Sequence, residues 1–250
     1  MQEEKVPREH VLILGGSSDI AVALAAKFAR EGYSISLAGR DLDRLNIISA
    51  DLHIRYNLAV DFYYFDALDF ESHARFYDEL KIKPDIAICV FGLLGEQSTA
   101  QRQWSECALI LDSNYTGAVS VLNIIANDFE ARKFGTIVGI SSVAGDRGRQ
   151  SNYLYGSAKA GFTTYLSGLR NRLYKNGVHV LTVKPGFMKT RMIEGIKTPG
   201  PLTAEPETVA EVVYSATVKR RNEIYVLWMW RYIMLVIRFI PEMIFKKLNL

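Results

Sequence analysis

At 250 residues and 49% apolar composition, the chain is long enough for one α/β domain with a sizeable core. A net charge of +3 excludes the strongly basic surface of a general nucleic-acid binder. Cys89 and Cys107 have no metal-ligand spacing, and the polar start MQEEKVPREH has no apolar signal core, so a cytoplasmic protein in a reducing compartment is expected.

Apolar runs alternate with helix-like segments nearly to the end, the pattern of a parallel sheet covered on both faces. VLILG (11–15) predicts a first strand, and IAVALAAKFAREG predicts a helix stopping at Gly32. SISLAG follows as a second strand, DLDRLNIISADL as a helix, and FYYFD as a third strand ending at Asp66. DIAICVFG (85–92) is the fourth strand, a long helix covers about 112–129, and TIVGISS (136–142) is the fifth strand. SNYLYGSAKAG (151–161) opens the next long helix, VHVLTVKPG (178–186) is the sixth strand, and IYVL (224–227) closes the sheet. The expected fold is a Rossmann-type, doubly wound parallel sheet of seven strands over 1–227, followed by an amphipathic helical extension over 228–250. Prolines and glycines punctuate 187–208, which reads as a long loop with one short helix, of the kind used as a lid or binding segment.

GGSSDIA (15–21) sits where the first strand meets the first helix. Backbone N–H groups and the helix dipole can hold a pyrophosphate there, making Gly15, Ser17, Ser18 and Ile20 candidate cofactor contacts. The same turn also serves as an ordinary tight turn. Asp19 would repel a phosphate unless its carboxylate points away or caps the helix. The second strand ends in Ala38, Gly39 and Arg40, with no acid to accept from a ribose 2′-hydroxyl. Arg40 suits a 2′-phosphate, so NADP(H) is expected over NAD(H). Its other reading is a solvated residue at a helix start.

Ser142 ends the fifth strand, Tyr155 lies thirteen residues on, and Lys159 stands one helical turn beyond it on the same face. Tyr153 has no lysine at that spacing. A serine followed by YGSAK, with a glycine-rich turn at the first crossover, resembles the short-chain dehydrogenase/reductase family over nearly the whole chain. Asn114 and PGFMKT (185–190) fall in the family's corresponding places. The resemblance implies carbonyl–alcohol redox chemistry, with Tyr155 as acid/base, Ser142 orienting the carbonyl oxygen and Asn114 holding a relay water. It also implies that Lys159 binds the nicotinamide ribose, that Asp66 and Ala67 hold the adenine, and that Gly92, Pro185, Gly186 and Thr190 complete the cofactor site. Asp66 reads equally as a helix cap. A phenol's ordinary pKa of about 10 must come down for work near pH 7, and the Lys159 ammonium is expected to supply much of that field.

The chain departs from the family pattern at Leu14, Asp19 and Ala21, and CVFG (89–92) replaces NNAG, leaving the stabilising role to packing of Val90 and Phe91. Tyr153 is expected as a wall of the substrate cleft. The small residues Gly156, Ser157, Ala158 and Ala160 are expected to let the helix approach a cofactor or a partner helix. The family usually pairs through its long helices, so a homo-oligomer is expected.

From residue 215 onward, seven cations face two carboxylates, a local balance of +5. The apolar run 224–240 makes a helix of about 26 Å, short of a bilayer core of about 30 Å. Arg231 at mid-span would cost roughly 2.5–3.5 kcal/mol, so a spanning helix is disfavoured. On a helix, Arg231, Arg238, Glu242, Lys246 and Asn249 gather on a narrow stripe opposite a wide apolar face, with Pro241 interrupting. One reading is peripheral contact with the inner face of the membrane; the other is a helix packed on the domain or on a dimer partner.

SVAGDRGRQSNYLYGSAKAG, LSGLRNRL, KPGF and PEMIFKKL resemble the membrane-associated subgroup similar to decaprenylphosphoryl-2-ketoribose reductases. That resemblance implies an amphiphilic, lipid-linked sugar ketone as substrate and a basic loop carrying Lys189, Arg191 and Lys197. Two alternatives are the same chemistry on a 3-ketosphinganine, steroid or retinoid, and a non-catalytic NADP-binding sensor or scaffold. Asp19 and the missing NNAG make the last thinkable, and the intact Ser142, Tyr155 and Lys159 argue against it.

Overall fold

In a computed structural model, which describes residues 8–193, 195 and 198–248, the chain forms a doubly wound α/β sheet. The first half comprises β1 (Arg8–Leu14), α1 (Asp19–Arg30), β2 (Tyr33–Gly39), α2 (Leu42–Tyr56), β3 (Val60–Tyr64), α3 (His73–Asp78) and β4 (Ile86–Cys89). Next come α4 (Gln97–Ala100), α5 (Trp104–Leu111), α6 (Gly117–Arg132), β5 (Thr136–Ile140), α7 (Tyr153–Leu173) and β6 (His179–Lys184). The remainder is β7 (Phe187–Met188), β8 (Thr203–Ala204), α8 (Pro206–Val218), β9 (Glu223–Tyr225), α9 (Trp228–Phe239) and α10 (Glu242–Phe245).

Seven strands pair in parallel in the order β3-β2-β1-β4-β5-β6-β9. Successive side chains of each central strand enter opposite cores, which is why these strands read as unbroken apolar runs. Ile13, Leu24, Phe28, Leu37 and Val213 meet under α1, α2 and α8. Leu12, Leu122, Phe129, Phe162 and Leu166 meet under α6 and α7. Winding reverses between β1 and β4, so a crevice opens beyond their carboxyl ends, the usual ligand position in this architecture.

The structure corrects several sequence boundaries. The helix expected over 112–129 starts at Trp104, and α5 runs into α6 through a wide π-helical turn at Asp112–Thr116. Among the described residues this continuous run, Trp104–Arg132, is the one helix long and apolar enough to cross a bilayer. It is a core helix, with Val121, Leu122, Ile125 and Phe129 fully buried. Helix α8 starts inside the segment read as loop, with Pro206 in its first turn, where the missing N–H costs nothing. The rest of that segment includes the β7–β8 ladder and single helical turns at Arg191–Ile193 and Gly200–Leu202.

Helix α9 ends at Phe239, and the chain turns through Pro241 into α10, as a proline at that place dictates. One face of α9 packs on the domain. Trp230 and Met234 are buried in a cluster with Val143, against Phe187, Leu202 and Tyr225. Arg147 donates to the carbonyls of Ile237 and Ile240, both at 2.6 Å, and so satisfies the helix's carboxyl end. The same guanidinium pairs with Glu242 at 2.9 Å and lies 3.6 Å from the Phe245 ring centre. The outward face of α9 leaves Trp228, Tyr232, Leu235, Val236 and Phe239 exposed, and Met243 of α10 is exposed too. Asn249, the end of the polar stripe read from sequence, lies outside the described residues.

Candidate active site

Three adjoining cavities of about 580, 120 and 370 Å³ fill the crevice at the carboxyl end of the sheet. The first is lined by Gly15, Ser17, Ser18, Arg40, Asp66, Ala67 and Gly92, among others. Gly15 has φ +88°, and a Cβ there would lie 2.7 Å from the Phe91 nitrogen, so the close approach of β1's turn to β4 requires glycine. The Gly15 and Gly16 N–H groups both donate to the Ala38 carbonyl at 2.8 Å. Ser18 caps α1, its hydroxyl accepting from the Ala21 N–H at 3.2 Å.

With the cap taken by Ser18, the Asp19 carboxylate, which shares the lining of the middle cavity, is held by neighbouring cations. It accepts from the Arg191 N–H at 2.9 Å and from Arg191 Nε at 3.1 Å, with Arg44 at 3.6 Å. Its charge is therefore matched by two guanidinium groups. Arg44 and Arg191 also each donate to the Ser17 carbonyl at 2.9 Å. Arg44 is a site residue the sequence reading missed, since only its position in the first turn of α2 hints at proximity to the glycine turn. Arg40 is exposed at the crevice edge beside Ser17 and Asp41. Asp66 is not a helix cap: its Oδ1 accepts from the Leu68 N–H at 3.0 Å, closing its own turn, while the first helical turn after it starts at Phe70.

The CVFG substitution is accommodated by packing. Val90 is buried, its N–H donating to the Leu14 carbonyl at 2.9 Å, and Phe91 lies against Phe65 with ring centres 5.7 Å apart. Asn114, in the π-helical turn, adds a clamp. Its amide nitrogen donates to the Leu93 and Ile110 carbonyls at 2.6 and 2.8 Å, and its oxygen accepts from the Leu93 N–H at 3.2 Å. A Cβ on Gly92 would lie 2.6 Å from that oxygen and 3.3 Å from Lys159 Nζ, so glycine keeps this passage open.

The middle cavity, lined by Ser18, Ile20, Tyr155, Lys159 and Thr190, joins the other two. Ser142 follows β5, and its hydroxyl accepts from the Ala144 N–H at 3.1 Å, fixing the turn Val143–Gly145. The start of α7 packs directly on that turn. A Cβ on Gly156 would lie 2.9 Å from the Ala144 carbonyl oxygen, and one on Gly145 would lie 2.7 Å from the Ala160 nitrogen. Gly156 is thus in close contact with this turn, and Ser157 is exposed. Ser141 locks the register, its hydroxyl 3.0 Å from the Lys159 carbonyl and 2.7 Å from the Thr163 hydroxyl.

Ser142, Tyr155 and Lys159 are thereby brought together. The Lys159 ammonium, buried, donates to the Ile140 carbonyl at 3.1 Å. Burial pushes the Tyr155 phenol up to about 12, against a hydrogen bond with Ser142 that lowers it. Burial also brings Lys159 down to about 8. The shift of Tyr155 runs opposite to the lowering expected from sequence, because desolvation outweighs the Ser142 hydrogen bond that lowers it.

The third cavity contains Ser142 and Tyr155 with Pro185, Gly186, Thr190 and Trp230. Trp230 lies across Gly186, where a Cβ would sit 2.0 Å from the indole ring, and its indole N–H donates to the Leu202 carbonyl at 3.1 Å. Tyr153, expected as a wall, is instead 41% exposed and outside the cavity lining, with its hydroxyl 3.4 Å from Gln101. Gln97, Arg149 and Trp230 line the cavity and were not identified from sequence, because the short α4, a loop and the tail carry them in. Lys189 pairs with Glu205 at 3.0 Å on the outside, and Lys197 lies outside the described residues. A glycine turn at the start of a helix, cations beside it and a glycine-lined passage to Tyr155 fit an extended dinucleotide.

This fold and site define a class. The short chain dehydrogenase family model matches residues 9–199, and the chain belongs to that family. It is an oxidoreductase. An uncharacterized oxidoreductase of Mycobacterium tuberculosis is 35% identical over 241 residues, covering 95% of this chain and 96% of the relative. Another from Streptomyces coelicolor is 30% identical over 246 residues, covering 97% and 96%. Among solved structures, a short-chain dehydrogenase from Sphingobium yanoikuyae in complex with NADPH aligns with a TM-score of 0.82 at 24% identity, covering 94% of this chain and 97% of the other.

Proposed function

We propose that the protein is an NADPH-dependent reductase of a ketone carried on an amphiphile, a lipid or lipid-linked sugar, and that α9 lies against the inner face of the membrane. The observation that carries this reading is the double use of α9. Its Trp230 walls the cavity that holds Ser142 and Tyr155, while Trp228, Tyr232 and Phe239 face outward. An apolar chain leaving the cavity beside Trp230 therefore has an adjacent apolar surface to follow, and Arg231, Arg238, Lys246 and Lys247 suit anionic headgroups. The absence of an acid after β2, with Arg40 at the crevice edge, favours a 2′-phosphate. The NADPH bound by the Sphingobium relative is in keeping with this choice. The finer placement in the decaprenylphosphoryl-2-ketoribose reductase-like subgroup, and pairing of copies through the long helices, belong to the same proposal.

NADPH, when bound, supplies the hydride. Tyr155, kept neutral by its raised pKa, donates the phenolic proton to the carbonyl oxygen, and the Ser142 hydroxyl orients that oxygen. Lys159, charged below about pH 8, stabilises the phenolate left behind and offers N–H donors to a ribose. Asn114 holds the chain beside Gly92 in place, and the relay water that restores the Tyr155 proton is assigned to it.

A lipid-extract screen following NADPH absorbance, in the presence of anionic liposomes, identifies accepted ketones. Tyr155→Phe is expected to lower their turnover by about 10³-fold while NADPH still binds. Unchanged turnover would remove Tyr155 from the chemistry.

A further inference from the structure

Four buried polar side-chain atoms lack a hydrogen-bond partner among the described residues, and three of them belong to residues lining the cavity that contains Ser142 and Tyr155. They are Gln97 Nε2, Arg149 Nε and Asn152 Oδ1. Unpaired buried polar groups cost folding free energy, so three in one wall call for a specific reason.

The orientation of Gln97 is fixed, because its Oε1 accepts from the Leu154 N–H at 3.1 Å; the unpaired atom is therefore a donor. Asn152 stands directly before α7 and makes no side-chain cap, so its oxygen is an unused acceptor one turn from Tyr155. Arg149 has no ion pair among the described residues. Asp146, whose charge acts on it, is already committed, with Oδ1 2.9 Å from Lys184 Nζ and Oδ2 accepting from the Tyr225 hydroxyl at 2.7 Å. The cavity's one carboxylate, Glu96, is turned to the hydroxyls of Ser98 and Thr99. The lining of this cavity thus includes the Arg149 charge and the Gln97 and Asn152 amides, each with one polar atom that has no partner among the described residues, while its one carboxylate, Glu96, is hydrogen-bonded to Ser98 and Thr99.

We propose that Gln97, Arg149 and Asn152 form a specificity site for an oxyanion, a phosphate ester or carboxylate, carried close to the substrate's ketone, with Asn152 accepting from a neighbouring hydroxyl. This deepens the reductase reading and rests on it. It divides the substrate between the two walls of one cavity: the apolar chain follows Trp230, and the anionic, hydroxylated part meets Arg149. Arg149 is a binding residue here, and the proton transfer stays with Tyr155.

The test uses the full chain, loaded with NADP⁺, and calorimetric binding of three decyl-tailed hydroxyketones that differ only in the linker: a phosphodiester, a carboxylate and a neutral ether. The native protein is expected to bind an anionic compound at least about tenfold tighter than the ether, the size of one charge-assisted hydrogen bond. Which anion wins identifies the oxyanion. The preference should vanish in Arg149→Met, survive in part in Arg149→Lys and weaken in Gln97→Leu, with NADP⁺ affinity reporting that each variant is folded. Equal binding of all three compounds, no binding of any, or a preference that survives Arg149→Met overturns the proposal. Turnover is measured separately with NADPH: an anionic ketone bound through Arg149 but never reduced would sink the reductase reading while leaving the oxyanion site standing.

Discussion

The two ends of the crevice are built by different means. At the glycine-turn end, the run Gly15 to Ser18 contributes backbone packed on Ala38 and Phe91, with Arg40, Asp66 and Arg191 around it. At the other end the wall is made of side chains from separate segments, with Gln97, Arg149 and Trp230 contributed by α4, the loop before α7 and the tail helix. Backbone groups can hold a ligand common to a whole family, because they survive substitution. Side chains drawn from distant segments can be exchanged one at a time, so that end is where one member comes to differ from another.

If this division is right, damage to one end leaves the other working. Trp230→Ala has the largest expected cost, about 3–5 kcal/mol of stability, because it empties a buried site packed on Gly186 and Val143. Denaturant unfolding measures that loss, and NADPH affinity of the folded fraction should hold while amphiphile binding falls. Equal losses of both would break the comparison.

Lys159 sits between the two ends, and its titration sharpens the picture. Its pKa is about 8 in the folded chain against an ordinary 10.5. Between those pH values the unfolded chain binds more protons, so stability should rise with pH across that window, by on the order of 3 kcal/mol in all. Unfolding free energies of Lys159→Met, subtracted from those of the native protein, should isolate that rise, and a flat difference from pH 8 to 10.5 would contradict the burial of this ammonium.

Gly15→Ala acts at the backbone-built end. It forces a side chain into a left-handed conformation, for about 1–2 kcal/mol, and places its Cβ 2.7 Å from the Phe91 nitrogen. NADPH affinity, read by fluorescence titration, should fall by tenfold or more while the amphiphile site is spared. The smallest effect on stability belongs to Phe239→Ser, on the exposed face of α9, where less than about 0.5 kcal/mol is expected. Its consequence should show in liposome co-sedimentation, as severalfold weaker binding; undiminished binding in this variant and in Trp228→Ser would detach α9 from the membrane.

The same contrast explains what could be read from sequence. The seven strands were legible because strands buried on both faces leave unbroken apolar runs, as in VLIL and VLTV. The glycine turn, Ser142, Tyr155 and Lys159 were legible because local spacing fixes their relation. Helix α8 was hidden by the prolines and glycines before it, and the start at Trp104 by the π-helical turn, which disrupts the regular helical period. Asp19 looked hostile to a phosphate because its partner, Arg191, is 172 residues away. The phenol's upward shift could not be read either, since desolvation depends on what packs around it. The tail was legible as amphipathic, yet which face it buries was not, because that depends on Gly186 offering room and Arg147 closing the helix end.

Gly186 and Trp230 also constrain how this chain can change over generations. With a Cβ at position 186 placed 2.0 Å from the indole, no residue larger than glycine fits there while tryptophan stays opposite. A lineage that reshapes this end of the crevice must first shrink the tail residue and only afterwards enlarge the strand-end residue. In related chains the two positions should therefore be inherited as a pair, although they are 44 positions apart in the sequence.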